Sequence, residues 1–382
     1  MTFLNFPKFF IIAVIGCLTM PGVLLGPAIV GILVDNANFS ENYAGWAMAC
    51  SSAGSALTLI VISGFMHQIN LKQLSYICLS LAFLIDIYCS FKVDPSIHFL
   101  VLRFIIGVVA TIANIAVYTS IASFKNYERG YGLFVMMQYS ASGLGLYYLI
   151  LYADVIGASG LYQILAALNL IALLLINQLP DLNTHTQTMK NETSEIAVLF
   201  SKVVVIAIIG FGLHEMSSVA QFTFIERVGA SIGIENQSLG NILLAGSLVG
   251  IPGSMICIVI GNKYGLLPPM LFAISCCIVG MSIFLIEKSY LTYTLRMCLI
   301  GFGFSMALPF IQSHLASLDK KGSALAAGNS LATIGAALGA GLGASLLGQD
   351  SNYRLLLEVS MLIYISAAVC IIVSILIRSK QH

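Results

Sequence analysis

The chain has 382 residues, 59% of them hydrophobic and only 9% charged, with a formal net charge of +1. Soluble domains carry about a quarter charged residues, so this composition excludes an ordinary soluble enzyme. No polar stretch is long enough to hold a separate catalytic domain.

Apolar runs of about 20 residues, the length that crosses a bilayer, recur from end to end and predict an all-α polytopic membrane protein. Taken in order they give twelve spans, near 8–34, 43–65, 73–92, 96–121, 130–152, 159–178, 197–225, 238–260, 267–286, 291–315, 323–347 and 354–377. Span 1 is too long for a signal-peptide apolar region and lacks a small-residue cleavage site, so it reads as a helix and not a leader. Span 4 carries Arg103, Gly107, Ala110 and Asn114 on one helical face. Span 5 carries Gln138, Tyr139 and Ser142. The polar segment 179–196, "LPDLNTHTQTMKNETSEI", divides the chain into an N-terminal bundle, 1–178, and a C-terminal bundle, 197–382, and is expected as a flexible cytoplasmic linker. Span 7 contains the adjacent ionisable residues His214 and Glu215. Span 10 stacks Arg296, Gly303, Ala307 and His314 on one face, and span 11 holds Asn329, Thr333 and the run "GAALGAGLGASLLG" (335–348). Those small residues favour close helix packing. No Lys-Ser/Thr follows them, so the run is not a phosphate loop. The nine cysteines all fall inside spans without a Cys-x-x-Cys pair, which predicts neither disulfides nor metal ligation.

The basic residues orient the chain. With both termini inside, Lys8, Lys72, Lys125, Arg129, Lys190, Lys202, Lys263, Lys320, Lys321, Arg378 and Lys380 are cytoplasmic, against Lys92, Arg227, Lys288 and Arg354 outside. That asymmetry follows the positive-inside rule and predicts a multi-pass protein of the inner (cytoplasmic) membrane. Asp35, Glu226 and Arg227 then end spans 1 and 7 at the outer face, as solvated or capping groups. Glu358, four residues after Arg354, is expected as a helical i,i+4 pair.

The two bundles repeat one another. "LRFIIG" (102–107) answers "LRMCLIG" (295–301), and "YERGYG" (127–132) answers "DKKGSA" (319–324). Pairing Gly45 with Gly240, Arg103 with Arg296 and Gly130 with Gly322 gives offsets of 195, 193 and 192. Carried into span 7, the offset sets His214 and Glu215 opposite Pro21 and Gly22. Duplicated six-helix units mark secondary transporters, whose sites lie near mid-membrane.

With its 6+6 spans and polar central loop, the chain resembles the major facilitator superfamily (MFS). "LRFIIGVVAT" resembles that superfamily's span-4 motif, "NKYG" (262–265) its Asp-Arg-x-Gly loop, and "YERG" the segment before its span 5. The loop after span 2, "GFMHQINLKQ", keeps Gly64 and Lys72 but loses the acidic residue, and span 5 lacks the antiporter Gly-Pro. The resemblance implies that spans 1 and 7 line the solute path, which places His214 and Glu215 at solute depth. It also makes span 3 peripheral, so that Asp86 reaches the outer interface.

The His-Glu pair could open a zinc-protease helix, but the second ligand position holds Ser218, and the motif fails. At about 100° per residue, His214, Glu215, Ser217, Ser218 and Gln221 share one broad side of span 7. An ionisable group inside a span is costly and faces a partner or a wet cavity. Glu215, with His214 beside it, is therefore the candidate for proton coupling; the competing role is a neutral acid bonded to a neighbouring helix. Arg103 and Arg296 are candidate contacts for a carboxylate-bearing solute, or else groups that snorkel to the interface. Asn114, Gln138, Ser142, Ser218, Gln221 and Asn329 complete the candidate solute-binding set, helix–helix bonding being their alternative role.

The expected function is secondary active transport of a small organic solute by alternating access, coupled to protons. Export of a drug, metabolite or siderophore is preferred over nutrient uptake. A non-transporting, transporter-like sensor is the alternative from another class. The expected partners are the solute, protons and membrane lipid, with the chain a monomer that takes no nucleic acid, cofactor or metal and is not an enzyme.

Overall fold

The structure is a computed structural model that describes residues 6–63, 69–124, 127–180, 199–260, 263–319, 323–347 and 353–379. The linker from 181 to 196 with Lys190, the loop 64–68, Lys125, segment 320–322 and Lys380 lie outside the described residues, as do the side chains of Glu128, Arg129 and Cys257. Two compact units form, Met1–Thr186 and Gln187–His382.

Among the described residues there is no strand, and eleven helices are long and apolar enough to cross a membrane. In unit 1 these are span 2 (Glu41–Ser63), span 3 (Leu71–Phe91), span 4 (Ile97–Ala122), span 5 (Tyr127–Leu151) and span 6 (Ala153–Leu175). In unit 2 they are span 7 (Lys202–Thr223), span 8 (Asn236–Ile260), span 9 (Leu267–Ile286), span 10 (Tyr290–Leu318), span 11 (Ser323–Leu347) and span 12 (Tyr353–Ser379). Ser96, Ser201 and Ser289 begin spans 4, 7 and 10 by accepting a bond from a backbone N–H three residues on, the N-cap chemistry that satisfies an otherwise orphaned donor.

Span 1 departs from the expected single helix. It is three pieces, Phe6–Leu18, Pro21–Leu24 and Gly26–Ala37, with Met20 (φ −119°, ψ 27°) and Leu25 (φ −111°, ψ 9°) outside helical geometry. Pro21 and Pro27 have no N–H, so the carbonyls one turn before them lose their donors. Ser142 of span 5 donates to the Leu24 carbonyl at 2.7 Å, a side-chain partner at the break itself. Span 7 breaks in the same way at Phe224 (φ −111°, ψ 13°) and resumes as Ile225–Ser231. Span 6 starts six residues before the expected position and bends at Gly157 (φ 58°), a backbone state that glycine tolerates.

In unit 1, span 2 packs on span 4, span 3 on spans 4 and 6, and span 1 on spans 4 and 5. In unit 2, span 7 packs on spans 11 and 12, span 8 on span 10, and span 9 on spans 10 and 12. Glycines set the closest crossings. A Cβ at Gly107 would overlap the Ser51 carbonyl oxygen, and one at Gly301 would overlap that of Gly246. Gly335 and Gly339 of the small-residue run meet the carbonyls of Gly212 and Met216 in the same fashion.

These crossings also correct the repeat register. The pairs Ser51/Gly107 and Gly246/Gly301 are offset by 195 and 194, within one residue of the expectation for spans 2/8 and 4/10. Spans 1/7 and 5/11 follow a different offset. The break residues Leu25 and Phe224 differ by 199, and the glycines that meet them, Gly145 and Gly343, by 198. Gly130 against Ile121 corresponds to Gly328 against Leu315, not to Gly322. For spans 1/7 the cause is the piece after each break, twelve residues in span 1 and seven in span 7, which absorbs the difference before span 2; for spans 5/11 the shift arises between Gly107 and Gly130 and their counterparts Gly301 and Gly328. In this register Gly16, not Gly22, stands opposite Glu215, and Gly22 stands opposite Gln221.

Candidate functional site

Each unit buries one arginine at the repeated position. Arg296 is 0% exposed; its Nη2 donates to Gln221 Oε1 at 2.9 Å and its guanidinium lies 5.4 Å from the Phe284 ring centroid. Gln221 Nε2 in turn reaches the Ser217 carbonyl and hydroxyl at 3.4 Å and Met281 Sδ at 3.7 Å. One acceptor and one aromatic face therefore hold the cation, although Nε and Nη1 have no hydrogen-bond partner.

Arg103 is 1% exposed and held differently. Neither its Nε nor its Nη2 has a partner, and Nη2 lies 3.5 Å from where a Cβ would sit on Gly22. Gly22 is the counterpart of Gln221, so where unit 2 has a carboxamide, unit 1 has no side chain. Across from it, Asp86 is 2% exposed; its Oδ2 accepts from Asn169 Nδ2 at 2.8 Å and its Oδ1 has no partner. Asp86, Cys89 and Tyr162 lie close enough to feel the Arg103 charge. Neither arginine snorkels, and Asp86 does not reach the outer interface.

The broad polar side expected on span 7 divides in two. His214, Ser217 and Gln221 are buried within unit 2. His214 stacks parallel on Phe304 at 4.9 Å and contacts Tyr364 at 5.4 Å, with Nε2 unpartnered. Ser217 donates to the Ser360 carbonyl at 2.6 Å. Glu215 and Ser218 are half-buried on the neighbouring face. Adjacent in sequence, His214 and Glu215 thus meet different surroundings.

The other candidate polars scatter. Gln138 reaches Met20 Sδ at 3.2 Å and Ser142 the Leu24 carbonyl, both at the break in span 1. Asn114 is buried with Oδ1 unpartnered. Asn329 is exposed and accepts from Gln312 at 3.5 Å. His314 of span 10 joins Ser374 of span 12 at 2.8 Å, and Ser374 donates to the Val203 carbonyl of span 7 at 2.9 Å, a tie across three helices. Arg354 and Glu358 form the expected i,i+4 pair at 2.7 Å. Glu226 and Arg227 are not solvated: they are 4% and 8% exposed and joined to each other at 2.6 and 2.8 Å. The short helix after the span 7 break packs them inside unit 2, against the expectation of solvated ends. The Asp86–Asn169 bond likewise runs against expectation. A lone acid in an apolar span is as costly as Glu215, and that cost was the available signal.

A family model of the Major Facilitator Superfamily matches residues 10–340. Among solved structures, a mutant of the nucleoside transporter NupG has a TM-score of 0.76 at 13% identity, with 96% of this chain and 99% of that chain covered. A D-xylose-proton symporter has a TM-score of 0.70 at 15% identity, with 96% and 95% covered. No curated protein sequence matches the chain. At such identities the likeness speaks for the fold alone, and the family rests on the match that spans most of the chain: the protein belongs to the Major Facilitator Superfamily.

Proposed function

We propose that the protein is a proton-coupled secondary transporter of a small organic solute bearing a carboxylate or another strong acceptor, working by alternating access in the inner membrane with both termini cytoplasmic. The observation that carries this reading is the Arg103 guanidinium, buried and charged, with Nη2 unspent beside a glycine. Its counterpart Arg296 spends the same nitrogen on Gln221, so Arg103 is the cation left to a solute and Arg296 a positioning residue. Glu215, half-buried in span 7, is the coupling carboxyl, able to exchange a proton as its surroundings change from wet to dry. His214, packed on Phe304 and Tyr364, takes a packing role beside it. Uptake is a second reading beside export, favoured by the likeness to a D-xylose-proton symporter.

A thermal-shift screen of the purified protein against carboxylates, sugars, nucleosides, amino acids and drugs should return a stabilising solute, and flux of that solute in proteoliposomes gives the direction. Arg103→Lys should then weaken binding about tenfold or more, because an ammonium cannot reproduce the two-pronged guanidinium contact; equal affinity would remove Arg103 from the site. Glu215→Gln should abolish accumulation driven by a pH gradient while leaving the melting temperature near that of the parent. Undiminished accumulation removes Glu215, and no binding or flux across the panel moves the reading to a sensor.

A further inference from the structure

The two units answer one problem, a buried guanidinium, with acceptors on different helices. In unit 2 the acceptor is Gln221 on span 7. Aligning the ends of spans 3 and 9, Phe91 and Ile286, sets Asp86 opposite Met281, which sits against Gln221 as a neutral sulfur. In unit 1 the helix equivalent to span 7 offers Gly22, and the polar group has moved to span 3 as Asp86.

We propose that Asp86 is a proton-binding residue of the transport cycle and that Arg103 is shared between its carboxylate and the side of Gly22. The solute half of this statement rests on the reading of Arg103 above; the proton half does not.

The groups around Asp86 come from each element packed on span 3. Span 4 brings Arg103, and span 6 brings Asn169 and Tyr162. Span 3 itself brings Cys89, one turn on. The turn after span 6 sends Asn177 to Tyr76 instead. A carboxylate in this place needs far more than one amide donor, since an ionised group in a buried site is tolerated only when paired. As described, Asp86 has the Asn169 bond, a bare Oδ1 and no hydrogen bond from Arg103. A neutral acid there leaves one O–H without an acceptor, whereas an ion leaves a buried charge with a single amide donor, the far costlier of the two. The ionised form has one cation to turn to, Arg103, whose Nε and Nη2 are both unspent. Pairing draws the guanidinium toward span 3 and away from span 1. Protonation releases it to the side of Gly22, which is half-buried and carries no side chain where unit 2 has the Gln221 carboxamide. A proton on Asp86 thus readies Arg103 for the solute, and loss of the proton withdraws it.

Infrared pH titration of the full chain in liposomes reads carboxylic-acid carbonyl bands without any solute. One titrating band should vanish in Asp86→Asn and survive in Glu215→Gln. In Arg103→Gln the same band should persist to higher pH, by about 1–3 units, because the cation that favours ionisation is gone. If Asp86→Asn does not yield folded protein, Asp86→Glu should move the band's frequency and midpoint. A wild-type spectrum in Asp86→Asn, an Asp86 band constant at every pH, or a midpoint indifferent to Arg103→Gln overturns the proposal. Failure of the Glu215 reading shows separately, as a Glu215→Gln spectrum with every titrating band retained.

Discussion

Gly107→Val should leave unit 1 without its native crossing of spans 2 and 4, at a cost of about 3 kcal/mol or more, the upper end for overpacked sites. The neighbour is the Ser51 carbonyl oxygen, which is backbone, so no rotamer change can make room. Ser55 donates to the Gly107 carbonyl at 3.2 Å from the same side, and that bond is lost as the helices part. Gly301→Val should do the same to spans 8 and 10 through the Gly246 carbonyl. Gly233→Ala is the contrast: nothing lies within 4 Å of its missing Cβ, and only its φ of +80° is offended, which costs about 1–2 kcal/mol. Thermal unfolding of the purified proteins in detergent ranks the three. A Gly107→Val protein that melts with the parent would mean that these helices do not cross where described.

The second large effect is expected at Arg227. Its Nε and Nη2 clasp both oxygens of Glu226 inside unit 2, a bidentate geometry specific to guanidinium. Arg227→Met strips that clasp from a carboxylate that is 4% exposed, and breaking a buried pair from one side costs about 3–5 kcal/mol. The double variant Glu226→Gln/Arg227→Met should lose less than the sum of the two single variants, because the clasped charges leave together. A thermodynamic cycle over the four proteins measures the coupling. Additive losses would show that the two side chains act independently.

What the sequence made legible and what it hid divide along a physical line. Spans are read from the free energy of apolar residues in a bilayer, which is local and additive, so the ends of spans 2–12 fall within six residues of their expected positions. The breaks were also local, since Pro21 and Pro27 lie in plain sight. A scan for hydrophobic length gives a missing N–H no weight, and span 1 was read as continuous. Register and partners belong to neighbouring helices. The helical wheel put His214 beside Glu215, but Phe304 and Tyr364 arrive from spans 10 and 12 to claim one of them. Two of the three landmarks behind the near-constant offset sit in spans 2 and 4, the third pairs Gly130 with Gly322 where the crossings pair it with Gly328, and the five-residue difference after the break lies outside all of them. Arg103 and Arg296 were both singled out by their cost in a membrane, yet only the structure separates the one with an acceptor from the one without.

The interrupted first span has a mechanical side. Phe6–Leu18 has 13 residues and Gly26–Ala37 has 12, so at 1.5 Å per residue they rise about 20 Å and 18 Å, each short of the ~30 Å hydrocarbon core. Only in series do they cross, with the stretch 19–25 as the joint. A continuous helix meets a thinner bilayer by tilting as a whole; two short rods meet it by folding at the joint, and a thicker one by straightening. Ser142, holding the Leu24 carbonyl from span 5, ties that joint to a neighbouring helix next to the place where Gly22 meets Arg103.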